Sequence, residues 1–99
     1  MDRGEILKEA SRLTYGSRNE NHGHPYDNHR RIGIIMGVVL EGWMAEAKPG
    51  DPVPPYLAAQ LMVAMKLARL SYQPDHLDSA VDLAAYAAIA GELAGMEES

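Results

Sequence analysis

The chain has 99 residues, a formal net charge of −5 and no cysteine. That length suits a single domain, residues 1–99, and the missing cysteine excludes disulfides, thiolate metal sites and cysteine nucleophiles. The acidic balance disfavours bulk nucleic-acid binding. The start, MDRGEILKEASRL, is charged and lacks the apolar core of a signal peptide. The longest apolar run, Ile32 to Leu40, contains Gly33 and Gly37 and is far too short to cross a bilayer. A cytoplasmic protein with no membrane partner is the expectation. So short a chain buries a modest core, and homo-oligomerisation is a natural way to enlarge it. Phenylalanine is absent and no sustained polar–apolar alternation occurs, so the expected fold is all-α, a bundle of about four helices.

A first helix is predicted from about Arg3 to Tyr15, with Ile6, Leu7, Ala10 and Leu13 on one apolar stripe. Gly16 stands where a glycine C-cap belongs. Residues 16–24, GSRNENHGH, carry no large apolar side chain and read as a polar loop. Pro25 suits the first position of a second helix, which is predicted to reach about Glu46. Ile32, Ile35, Met36, Val39, Leu40 and Trp43 form its buried side, and Gly33, Gly37 and Gly42 read as close-contact points. The breaker KPGDPVPP follows. A third helix, from Pro55 or Tyr56 to about Leu70, is apolar on nearly all sides and therefore central to a bundle or to an oligomer interface. After a turn around Pro74, a fourth helix is predicted from about His76 to Met96, with Val81, Leu83, Ala84, Ile89 and Leu93 apolar.

The charges of the last two helices are arranged in register. Lys66 and Arg69 share one face of the third helix, and Asp78, Asp82 and Tyr86 share one stripe of the fourth. Antiparallel pairing about residues 73–74 sets Lys66 near Asp82 and Arg69 near Asp78. Two readings stand: a structural salt-bridge ladder, or a polar site in which the basic pair meets a phosphate. A second cluster, Ser17, Arg18, Asn19, His22, Gly23, Asn28 and Arg31, lies in the polar loop and the start of the second helix. Its residue types and the helix dipole suit an anion, although composition alone reads it as an ordinary solvated loop. His22, His24 and His29 match no zinc spacing, so no metal site is assigned. No P-loop, dinucleotide fingerprint or nucleophile elbow is present, and no catalytic residue is assigned.

The ordered segments ILKEASRL, YGSRNENHGHPYDNHRRI, LAAQLMVAMKLARL and DHLDSAVDLAAYAAIAGEL resemble a family of small helical bacteriophage and prophage proteins without an assigned chemistry. The resemblance spans Ile6 to about Leu93. Arg18, Gly23, Pro25, Asn28, Lys66, Arg69, Asp78, Asp82 and Tyr86 match its pattern, whereas Ser17, His22, Ser79 and Ala85 depart from it. The pattern is also similar to phage nucleotide-modification-associated helical domains and, more distantly, to MazG-type nucleotide pyrophosphohydrolases. The acidic Glu-Glu-x-x-Glu signature of the MazG type is absent.

The function expected first is binding of a nucleotide-like anionic small molecule, in the host cytoplasm if the protein is phage-encoded. Its ligand residues would be Arg18, His22, Asn28, Arg31, Lys66, Arg69, Asp78, Asp82 and Tyr86. A structural or interaction protein, oligomeric or docking on a host protein, comes second. A magnesium-dependent hydrolase comes third, and only that reading calls for a cofactor.

Overall fold

The computed structural model describes residues 1–16 and 23–98. Among them are four helices and no strand: α1 Arg3–Tyr15, α2 Pro25–Met44, α3 Pro55–Tyr72 and α4 Leu77–Glu98. The helix starts follow from local chemistry. Asp2 caps α1 by accepting the Glu5 N–H at 2.9 Å. Pro25 opens α2, where its missing N–H costs nothing, and the His24 ring accepts the Tyr26 N–H at 3.1 Å.

Helix ends shift by one or two residues from expectation. α2 stops at Met44, because the chain then turns toward the proline segment, in which Lys48 N–H donates to the Asp51 carboxylate at 2.8 Å. α3 continues past Leu70 to Tyr72, where the Gln73 N–H still reaches the Arg69 carbonyl at 3.0 Å before Pro74 ends the ladder. α4 begins at Leu77 and extends to Glu98. Gly16 follows α1, but with φ −98° rather than the left-handed value of a glycine cap. A Cβ there would stand 2.7 Å from the Arg12 carbonyl oxygen, so close contact is what excludes a side chain.

α3 is the central helix, packed on α2 and α4, and both neighbours run antiparallel to it. Its near-continuous apolar surface is used on two sides: Leu57, Ala59, Ala64 and Ala68 are buried, joined by Ala90 of α4. Among the described residues, Leu57 is the one large side chain buried to 2 %. Alanine methyls remove little apolar area from water, so this core is thin.

Two sequence expectations are corrected. The α1 stripe of Ile6 and Leu7 is not buried: these residues are 52 % and 68 % exposed, and α1 packs closely on no other helix. Gly33, Gly37 and Gly42 are not contact points. They lie on the outward side of α2, and an added Cβ would meet nothing within 4 Å, because Ile32, Ile35, Met36, Val39, Leu40 and Trp43 take the inward side. On α4 the apolar Val81 and Ile89 are exposed, and the buried positions are Ser79 and Ala90.

The outcome is an extended molecule. Its radius of gyration is 16.1 Å, against about 13 Å for a compact chain of this length. Among the described residues, no helix is long and apolar enough to cross a membrane.

Candidate functional site

The antiparallel order brings the N-terminus of α2, the C-terminus of α3 and the N-terminus of α4 to one end of the molecule. Between them lies a cavity of about 540 Å³, within the range of small-molecule sites. α2 contributes Asn28, His29 and Ile32; α3 contributes Met65, Lys66 and Arg69; α4 contributes Asp78, Ser79 and Asp82. Thr14, at the end of α1, also reaches the rim. Ile32 and Met65 give it apolar wall.

The expected pairing of Lys66 with Asp82 is present, Nζ to Oδ2 at 3.1 Å, with the side chains 28 % and 51 % exposed. This pair is partly solvated and not sealed in an apolar hairpin. Arg69 is buried to 6 % and lines the same cavity as Asp78. Asn28 is buried to 9 % in the first turn of α2.

Other expected ligand residues lie elsewhere. Arg31 is outside the cavity lining. Its guanidinium carbon stands 5.5 Å from the centroid of the Tyr72 ring, and its Nε and Nη2 are buried with no hydrogen-bond partner among the described residues. Tyr86 is half-buried on α4, also outside the lining. Ser17, Arg18, Asn19 and His22 lie outside the described residues.

Two histidines take a role that sequence reasoning missed. His24 caps α2, and His76 caps α4, its Nδ1 accepting the Ser79 N–H at 3.2 Å and the buried Ser79 hydroxyl at 2.7 Å. The signals were local: His24 directly precedes Pro25, and His76 precedes Ser79 by three residues. His29 Nδ1–H donates to the Pro25 carbonyl at 2.7 Å, so its ring is turned along its own helix. Among the described residues, no group of three or more His, Asp or Glu side chains converges to hold a metal.

Both α2 and α4 point their positive dipole ends toward this end of the molecule. The cavity therefore combines two cationic side chains and two helix N-termini with two carboxylates. That mixture suits a ligand with an anionic portion and separate hydrogen-bond donors such as hydroxyls or ring N–H groups.

Residues 5–94 match the family model described as a domain of unknown function, DUF6378. The chain is 38 % identical over 82 residues to the Gene 55 protein of Mycobacterium phage D29, covering 83 % of this chain and 48 % of that protein. It is 32 % identical over 84 residues to the Gene 55 protein of Mycobacterium phage L5, covering 85 % of this chain and 49 % of that one. It thus spans about half the length of these two relatives. No solved structure matches. The match across nearly the whole sequence makes this chain a member of the DUF6378 family.

Proposed function

We propose that the chain binds a phosphate-bearing small molecule of the nucleotide class in the cavity between α2, α3 and α4. The observation that carries this reading is that Lys66 and Arg69, from one face of α3, line a cavity together with the buried Asn28 at the start of α2. Lys66 and Arg69 would meet the phosphate, assisted by the dipole ends of α2 and α4. Asp78 and Asp82 would accept hydrogen bonds from ribose hydroxyls or a base, which offsets their repulsion of an anion. Arg18 and His22 join this set on sequence grounds alone. Arg31 and Tyr86 do not belong to it as the cavity is built.

A thermal-shift screen against mono-, di- and cyclic nucleotides tests the proposal. Binding to the native state raises the melting temperature in proportion to occupancy, and a shift of several degrees with one nucleotide class is expected. Lys66→Gln should abolish the shift while leaving the unliganded melting temperature nearly unchanged. A flat screen on folded protein, or a shift that Lys66→Gln leaves intact, would overturn the proposal.

A second reading, a protein whose role is to assemble, is favoured by the exposed apolar face of α1. The magnesium-dependent hydrolase draws the least support. Asp78 and Asp82 are the cavity's two carboxylates, and Asp82 is engaged by Lys66. No step through a metal follows from that donor set.

A further inference from the structure

At the end of the molecule away from the polar cavity, α2, α3 and α4 enclose an open groove of about 420 Å³. Its floor is a helical stripe of α3, including Val63 and Leu67; Ile35 and Val39 of α2 form one wall. The other wall is Ala90 and Gly91 of α4 with further alanines. Such small side chains let a helix backbone approach to about 8 Å. Three antiparallel helices thus present the position that a fourth helix fills in a bundle.

α1 is a helix with the matching face. Its stripe runs from Ile6 to Leu13, eight residues and seven helical steps, the same rise of about 10 Å as the groove floor from Gln60 to Leu67. Yet α1 stays out of its own groove: its C-terminal Thr14 borders the polar cavity, and Ile6 and Leu7 are exposed. The surface area agrees. The chain exposes 7219 Å², whereas a compact monomer of this mass exposes roughly 5,500 Å². The excess, roughly 1,700 Å², is about twice what each partner of a standard interface buries.

We propose that α1 of a second copy seats in this groove, so that two chains exchange their first helices and each completes the other's four-helix bundle. Knob and groove are both present in one chain and unjoined within it, which is the arrangement that exchange between identical chains requires. The proposal stands apart from the nucleotide reading, since the groove and the polar cavity share no lining residue.

Light scattering on the purified chain should give twice the chain mass of 10.8 kDa. Two substitutions should convert the dimer to a monomer without loss of helicity. Leu7→Asp alters a side chain that is 68 % exposed, and Gly91→Leu fills the groove where nothing stands within 4 Å of the new Cβ. Because the chain has no cysteine, Leu7→Cys and Gly91→Cys variants mixed in equal amounts and treated with a short bis-maleimide should yield a crosslinked pair well above either variant alone. A monomeric wild type would overturn the proposal. So would a dimer that survives both substitutions, or crosslinking confined to one chain in the double-cysteine protein, which would seat α1 in its own groove.

Discussion

The guanidinium of Arg31 lies over the ring of Tyr72, with 5.5 Å between its carbon and the ring centroid. The same ring borders Gly23, where a Cβ would come within 3.1 Å of it. Tyr72 thus ties the last turn of α3 to the entrance of α2. The contact contributes about 0.5–1 kcal/mol where it is solvated and more where it is not. Against that stand two buried Arg31 donors without partners among the described residues, at about 1–3 kcal/mol for an unmet group. Arg31→Met keeps the apolar stem over the ring and removes those donors. Urea unfolding should show the variant as stable as the wild type or more so, whereas Tyr72→Ala should lose about 1–3 kcal/mol. A marked loss in Arg31→Met would mean that the guanidinium is paired in solution.

Glycine substitutions should have opposite signs at two positions. Gly23 has φ +76° and faces Tyr72, so Gly23→Ala meets both backbone strain and a crowded ring. A cost of about 1–3 kcal/mol is expected. Gly37 sits in the middle of α2 with open space around it, and Gly37→Ala should stabilise by about 0.5–1 kcal/mol through helix propensity. Chemical denaturation of the two single variants separates them. Equal effects of the two would refute this assignment of their environments.

These two glycines also mark what the sequence could and could not reveal. Periodicity located all four helices, and it identified the inward side of α2 from Ile32 to Trp43, because an apolar stripe has to point somewhere. It did not say what that stripe meets. The same logic put Ile6 and Leu7 on an apolar stripe of α1, and both remain largely exposed. For the candidate site, charge register on α3 and α4 was enough to pair Lys66 with Asp82, since a short turn fixes antiparallel neighbours. Arg31 could not be placed this way. Its position depends on Tyr72, about 40 residues later, and a contact between distant segments leaves no mark in local spacing.

Histidine caps both helices that begin at the cavity, which ties stability to the shape of the site. His76 receives two hydrogen bonds from Ser79, a buried residue that itself lines the cavity. His76→Ala removes the cap and leaves the buried hydroxyl without that acceptor. The expected loss is about 1–3 kcal/mol. His76→Asn supplies a side-chain oxygen at the same position and should recover most of it. Thermal melts of the two variants would show this ordering. If alanine and asparagine prove equivalent, the ring is not the cap of α4.

The pair of Lys66 and Asp82 distinguishes a structural ladder from a site. Both side chains keep contact with water, 28 % and 51 % exposed, and such pairs contribute at most about 1 kcal/mol. A double-mutant cycle with Lys66→Met and Asp82→Asn should therefore give a coupling energy below about 1 kcal/mol, and lower still in high salt. A ladder holding α3 against α4 would instead give a large, salt-resistant coupling. The weak-coupling outcome has a further consequence. A lysine that does little for stability can be exchanged without disturbing the fold, so a loss of nucleotide-dependent thermal shift in Lys66→Met would report on the ligand itself.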